Sequence, residues 1–272
     1  MFPKPKQLTT VGIVQLFLAS SFVIWFWIFP NTAIKFAWPV VPFETALFFG
    51  AGFVVRAYIG YFLWREKTWT GLRWQAAANI AFLVVIFLAT YWHIDEMNWR
   101  ASILVAHIWV LAYTIEPVIL YLIEPRSAEA RAPLPAELRQ GAVMTGLQRV
   151  SVVGLVVCVV LAGTAFLNPQ FLNTRWPWEL DPFNARIMAA FFTLIGMWCL
   201  EVYQAEWWGE VRMAVFGLLL FTASNFGAWL VMLPGLDPAR KNIYIYGIAT
   251  AVFSILLAYY IYRQEQAARK AG

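Results

Sequence analysis

Residues 148–167 read QRVSVVGLVVCVVLAGTAFL, and after Arg149 this stretch contains no charged side chain. As an α-helix rising about 1.5 Å per residue, a run of this length crosses the roughly 30 Å hydrocarbon core of a bilayer. Buried helices of soluble proteins usually have apolar runs of only about 10–14 residues. The stretch therefore predicts a transmembrane helix.

Seven further apolar runs of similar length occur along the chain, at 11–29, 43–64, 75–93, 102–123, 183–204, 211–233 and 243–262. The composition agrees, because 61% of the residues are hydrophobic and only 13% are charged, against about a quarter charged in an ordinary soluble domain. Backbone groups in hydrocarbon must be hydrogen-bonded within each segment, which favours helices. We therefore expect an all-α integral membrane protein with eight transmembrane helices.

The distribution of basic residues predicts the orientation of these helices. Thirteen Lys and Arg residues fall on the side of the amino terminus, and five fall on the other side. By the positive-inside rule, both termini lie in the cytoplasm and the protein is a multi-pass protein of the inner (plasma) membrane. The net charge of +5 is spread over short loops and forms no basic stripe, so we expect the lipid bilayer as a partner and no nucleic acid.

The longest polar stretch lies midway along the chain and contains several Pro and Ala residues. It predicts a cytoplasmic linker at 124–146, between a first transmembrane unit at 1–123 and a second unit at 147–272. Each unit then contains four of the eight predicted spans.

The two units share residues at a separation of about 139 positions. The matched residues are Trp38-Pro39 with Trp176-Pro177, Pro30 with Pro169, and Trp69 and Arg73 with Trp208 and Arg212. An internal repeat of four spans, an even number, gives both copies the same direction in the membrane. We therefore predict two tandem parallel four-helix repeats, related by an axis along the membrane normal.

Two outer-loop segments resemble a group of uncharacterised prokaryotic multi-pass membrane proteins. They are WPVVPFETA at 38–46 and WPWELDPFNAR at 176–186, and LATYWHID at 88–95 adds to the resemblance. The motifs are W-P-x-x-P-F and W-P-W-x-L-x-P-F-x-A-R, and the resemblance covers nearly the whole chain. Because no activity is assigned to that group, the resemblance implies no site residue.

Ionisable side chains within membrane spans are costly and mark candidate sites. Arg56 and Glu116 lie at a similar depth, roughly 20 Å below the outer boundary at about 1.5 Å per residue. They could form an ion pair that joins two helices, or they could line a ligand or ion path. The second unit has no such pair, since Gly196 lies near the position that matches Arg56, so we expect any site in the first unit. Asn225 is a third candidate, although such residues usually join helices.

The outer face carries a weak polar cluster formed by His93, Asp95, Glu96 and His107. Two histidines and two carboxylates could bind a divalent metal, but they lack the i, i+4 spacing of a helical metal site. A bis-histidine haem would need the two rings to oppose each other at similar depth. The chain also has no phosphate-binding loop, Ser elbow or H-E-x-x-H motif. We predict no metal, no cofactor and no catalytic residue.

The outer loops 30–42 and 168–182 are rich in Trp, Pro and Phe and are too apolar for ordinary solvated loops. They could re-enter the membrane, lie flat on its surface, or cap a pocket between the two units.

Three functions are compatible with these patterns. The first is binding or transport of a small molecule, lipid or ion between the two units, near Arg56 and Glu116. The second is an accessory or assembly subunit that docks to other membrane subunits. The third, which the sequence favours least, is a membrane enzyme acting on a lipid or quinone.

Overall fold

The computed structural model describes residues 6–67, 72–123, 139, 141–235 and 242–271. Most of the predicted linker, at 124–138 and 140, lies outside the described residues, and so does Trp69. The described part of the chain is all-helical, with no β-strand and one isolated bridge between Ala142 and Trp207.

The described residues form nine α-helices. They are α1 (Lys6–Ile28), α2 (Phe43–Arg65), α3 (Arg73–Trp92), α4 (Ile103–Ile123), α5 (Thr145–Leu167), α6 (Pro169–Arg175), α7 (Pro182–Gln204), α8 (Trp208–Met232) and α9 (Asn242–Ala271). All except the short α6 are long and apolar enough to cross a membrane. The prediction of an all-α protein with eight membrane-spanning helices is confirmed at this level.

The helices extend beyond the predicted spans at polar ends. The largest difference is in α9, which continues to Ala271, whereas the apolar run ends at residue 262. The additional turns, RQEQAARKA, consist almost entirely of residues with high helix propensity. Gln264 donates a hydrogen bond to the carbonyl of Ala142, and Glu265 accepts one from Trp208. Hydropathy locates the apolar part of a helix. It does not predict terminal turns that are stabilised by polar contacts.

The bundle has a central layer and a peripheral layer. α2 and α7 are the most buried helices, and α1 packs along α2 as α5 packs along α7. Between them, α3 contacts α7 and α8 contacts α2, while α4 and α9 lie outside, against α3 and α8. Below, α1–α4 are called the first set and α5–α9 the second set.

The peripheral helices expose large apolar side chains. Phe17, Leu104, Val159 and Ile255 are each more than half exposed, on α1, α4, α5 and α9 respectively. Proteins in water rarely expose so continuous an apolar surface. Lipid tails are as apolar as these side chains and can cover it. The exposed surface therefore indicates a bundle embedded in a membrane.

The closest helix contact, between α1 and α2, depends on two glycines. A Cβ added to Gly60 would lie 2.6 Å from the backbone nitrogen of Leu16, and one added to Gly12 would lie 2.5 Å from the backbone nitrogen of Trp64. Backbone atoms cannot move aside as side chains do, so both positions require glycine. Small residues of this kind allow close approach of helices in a membrane.

We therefore expect Gly60→Ala to force α1 away from α2 and to lower stability by about 1–3 kcal/mol, as overpacking typically does. Thermal unfolding in mild detergent measures the effect. Gly163→Ala on α5 is the matched control, because a Cβ there meets nothing within 4 Å. Equal stability of the two variants would contradict the close contact.

Candidate functional site

The outer loops fold into the core and join the two sets. The side chain of Trp38, between α1 and α2, donates a hydrogen bond of 2.8 Å to Asn184 Oδ1 in the first turn of α7. In return, Trp178, between α6 and α7, donates one of 2.9 Å to Thr45 Oγ1 in the first turn of α2. Both Trp rings are buried. Each loop thus holds the start of the central helix of the other set.

Asp181 fixes the acceptor in the first of these contacts. Its carboxylate accepts hydrogen bonds from the backbone nitrogen and the side-chain amide of Asn184. This caps α7 and turns the Asn184 oxygen toward Trp38. Burial raises the pKa of the Asp181 carboxyl above its ordinary value, and the hydrogen bonds from Asn184 act in the opposite direction.

A second exchange of hydrogen bonds lies deeper in the bundle. Tyr58 of α2 donates its hydroxyl proton to the backbone oxygen of Met213 on α8, at 3.0 Å. Trp198 of α7 donates to Gln75 Oε1 on α3, at 2.7 Å. The two sets are therefore connected by hydrogen bonds at two depths. At each depth, each set donates one hydrogen bond to the other.

Arg56 and Glu116 meet inside the first set. Arg56 Nη2 lies 3.1 Å from both carboxylate oxygens of Glu116, so the two residues form an ion pair, the first of the two alternatives that their similar depth left open. The Arg56 guanidinium also lies over the ring of Phe82, 4.6 Å from its centroid. The pair joins α2 to α4, which also meet through the rings of Phe53 and Trp109.

Two amides complete this group, and together Gln15, Arg56, Asn79 and Glu116 are called the polar quartet. Asn79 Nδ2 donates to Gln15 Oε1 at 3.3 Å and to Glu116 Oε1 at 3.4 Å. Gln15 Nε2 donates to the backbone oxygen of Arg56 at 2.8 Å. Neither amide was among the candidate site residues predicted from the sequence. Each is nevertheless a polar residue within an apolar run, as Asn225 is.

Two atoms of the polar quartet, Arg56 Nη1 and Asn79 Oδ1, are buried and have no hydrogen-bond partner among the described residues. A cavity of about 20 Å³ lies beside the ion pair, lined by Gln15, Leu18, Arg56, Ala112, Tyr113 and Glu116 among others. This volume holds about one water-sized oxygen. Two atoms of the polar quartet can therefore form further hydrogen bonds, and the space beside the quartet is large enough for one oxygen atom.

The predicted outer-face cluster forms only in part. His93 Nδ1 lies 2.6 Å from Glu96 Oε1, and His93 Nε2 lies 2.6 Å from Arg186 Nη1. Arg186 is always a donor, so His93 Nε2 accepts and Nδ1–H donates to the carboxylate. Asp95 is exposed, and exposed His107 bonds only its own helix at Ile103.

The Glu96–His93–Arg186 chain links the two sets near the outer loops. His93 stacks on Phe183 at 4.8 Å, and Arg186 lies 4.8 Å over the ring of Trp92. No three His, Cys, Asp or Glu residues in the described ranges are grouped closely enough to hold a metal ion. The contact of Arg186 with His93 was not predicted from the sequence, because it depends on how α3 packs against α7.

A cavity of about 360 Å³ lies between α5, α7, α8 and α9 of the second set, and Phe48 of α2 also lines it. Its walls are mostly apolar, with Val157, Leu161, Phe192, Phe253 and Leu257 among the lining residues. α5 approaches α9 at Gly146 and Tyr260. Beyond this contact the two helices have few close backbone contacts along their described residues, which leaves a gap beside the cavity. The sequence favoured the first unit for a site, whereas this cavity, which is larger than the one beside the ion pair, lies mainly in the second set.

Asn225 lies in the wall of this cavity. Its side-chain oxygen accepts a hydrogen bond of 2.7 Å from the Tyr246 hydroxyl, and its amide donates to the backbone oxygen of Phe221 at 2.8 Å. Asn225 therefore joins α8 to α9. Two other lining residues have unpartnered polar atoms among the described residues, the Ser151 hydroxyl and the Trp176 indole nitrogen.

No family model, no curated protein and no solved structure matches the chain. Function is therefore inferred from the geometry described above.

We expect Glu116→Leu to destabilise the protein by about 3–5 kcal/mol, because it leaves Arg56 buried without its partner. The double variant Arg56→Met/Glu116→Leu should be more stable than Glu116→Leu, since no uncompensated charge remains. Unfolding in mixed detergent micelles, followed by circular dichroism, measures both.

As a control, Arg212→Met breaks the pair between Arg212 and Glu265, in which the Arg212 side chain is 56% exposed. Such a change should alter stability by less than about 1 kcal/mol. If the double variant Arg56→Met/Glu116→Leu is less stable than Glu116→Leu, the unpaired charge of Arg56 is not the reason for the loss of stability in Glu116→Leu.

Proposed function

We propose that this protein binds an elongated apolar molecule, such as a lipid acyl chain, within the membrane. The proposal is carried by the cavity between α5 and α9, which lies in a wall of the bundle that faces lipid. Its volume of about 360 Å³ is within the range of ligand pockets, which is about 300–1,000 Å³. Its walls are mostly apolar, and the polar lining residues, which include Asn225, Tyr246, Ser151 and Trp176, are spaced along them.

The shape of the cavity favours a chain over a compact ligand. On α9 the lining residues run from Asn242 to Leu257, about 22 Å along the axis at about 1.5 Å per residue. The gap between α5 and α9 gives lateral access from the bilayer. Exposed Arg175 lines the end of the cavity nearest the outer loops, where its positive charge suits an anionic headgroup.

The two sets are, in this proposal, tandem repeats related by an axis along the membrane normal. The exchanged hydrogen bonds support it, because Trp38 and Trp178 are separated by about 139 residues, as are Thr45 and Asn184. Helix contacts support it too, since α1 on α2 repeats as α5 on α7, and α3 on α7 repeats as α2 on α8.

The repeat relates the large cavity to the crevice of the polar quartet. At the same separation, Gln15 matches Gly154, Arg56 matches Ile195, Asn79 matches Leu218 and Glu116 matches Ile255. Every polar member of the quartet is thus replaced by an apolar residue or glycine. Three of these replacements, Gly154, Ile195 and Leu218, line the large cavity, so equivalent positions contribute to a narrow polar crevice in one set and to a wide apolar cavity in the other.

The proposed location is the plasma membrane, with both termini in the cytoplasm. This orientation rests on the excess of Lys and Arg on the side of the termini. It places the outer loops, and the end of the cavity near Arg175, at the external face.

Thr250→Trp should remove the bound lipid, because Thr250 lines the cavity and its hydroxyl bonds only the backbone of its own helix. We expect co-purified lipid, measured by native mass spectrometry after delipidation and re-addition, to fall by roughly tenfold or more. The control is Ile248→Trp, on the exposed side of α9 and not in the cavity wall. Equal lipid retention by both variants would refute the proposal.

Orientation is tested with single introduced cysteines, because the natural Cys158 and Cys199 are buried. Asp95→Cys should react with a membrane-impermeant maleimide in intact cells. Arg269→Cys should react only after the cells are permeabilised. The reverse pattern would place the termini outside.

A further inference from the structure

The crevice of the polar quartet opens toward lipid between α1 and α4. Its lining includes Leu18 of α1 and Ala112 of α4, both only partly buried, and these helices touch at few points. The Glu116 side chain is 15% exposed, and its neighbour Ile115 on α4 is an exposed apolar residue. A carboxylate therefore reaches the surface at a depth where only hydrocarbon is expected, which is costly unless something polar meets it.

We infer that this crevice binds the oxygen-bearing head of a neutral, lipid-soluble molecule that enters from the bilayer between α1 and α4. Long-chain alcohols belong to this class. The oxygen would fill the space beside the ion pair and accept a hydrogen bond from Arg56 Nη1. The apolar tail would lie in the cleft between the two helices.

The charges of the site select a neutral ligand. Arg56 and Glu116 already neutralise each other through two contacts of 3.1 Å. An anion would compete with Glu116 for Arg56, and a cation would compete with Arg56 for Glu116. A neutral oxygen leaves the ion pair intact and uses the free guanidinium nitrogen.

The unpartnered atoms select an oxygen. Arg56 is 2% exposed, so bulk water does not reach Nη1. The Tyr113 hydroxyl lies near the guanidinium, but no group among the described residues forms a hydrogen bond of normal geometry with Nη1, and a buried charged donor without a partner is unfavourable. A hydroxyl or carbonyl oxygen satisfies it. The cavity of about 20 Å³ admits one such oxygen and excludes a larger headgroup such as a phosphate.

This inference is independent of the ligand proposed for the second set, because the two spaces have different walls and different lipid-facing gaps. The cavity between α5 and α9 has an apolar lining and should accept a chain with or without an oxygen. The crevice between α1 and α4 should require the oxygen.

The experiment compares two photoreactive probes on the full-length protein in liposomes. One is a hexadecanol carrying a diazirine in its chain, and the other is the corresponding alkane without the hydroxyl. Peptide mass spectrometry maps the labelled residues. We expect the alcohol to label α1 and α4 around Leu18, Ile108 and Ala112 roughly tenfold more than the alkane does, since one charge-assisted hydrogen bond gives at least that preference. Excess unlabelled hexadecanol should abolish this labelling.

Variants test the cause of the preference. Ala112→Phe fills the crevice and should remove the labelling by the alcohol, whereas Leu111→Phe, on the exposed side of the same helix, should retain it. Arg56→Met/Glu116→Leu removes the donor, and both probes should then label α1 and α4 equally. Thermal stability of each variant is measured in parallel.

Labelling of α5 and α9 by both probes serves as the internal control for probe access and reports separately on the function proposed for the second set. Equal labelling of the crevice by both probes in the unaltered protein would overturn the inference. Absence of crevice labelling by either probe would also overturn the inference, because only water would then occupy the space.

Discussion

Hydrocarbon offers no hydrogen bonds, so each polar group on a membrane-crossing helix must find its partner inside the protein. The junction between the two sets depends on this constraint. Trp38, Trp178, Tyr58 and Trp198 each carry a donor whose hydrogen-bond acceptor, within the described part of the chain, lies in the other set. An unsatisfied amide or hydroxyl costs several kcal/mol in an apolar medium, so separating the sets would be unfavourable at four points.

The same constraint explains why the two lipid-facing crevices differ. In the first set, Arg56 and Glu116 can lie within the bundle because each neutralises the other and Asn79 and Gln15 supply further hydrogen bonds. In the second set, the positions that the proposed repeat pairs with these residues carry no charge, and glycine stands at position 154 where the first set has Gln15. The proposed repeat would thus provide a polar site and an apolar site. The proposed ligands differ in the same way.

The eight spans and the contact between Arg56 and Glu116 could be predicted because both follow from position along single helices. Run length determines whether a helix crosses the membrane, and residue position determines depth. The cavity could not be predicted in this way, since it depends on how α5, α7, α8 and α9 pack against one another. The contact of Arg186 with His93 depends likewise on packing between α3 and α7. Polar residues within the spans favoured the first set, whereas the cavity of about 360 Å³ has mostly apolar walls.

The central claim is that a chain-like apolar molecule occupies the gap between α5 and α9. A cryo-electron microscopy map of the protein in lipid nanodiscs tests it most directly. We expect continuous elongated density along α9 from Asn242 to Leu257, with α5 and α9 held apart. A map in which α5 packs directly against α9 and no density lies between them would contradict the claim.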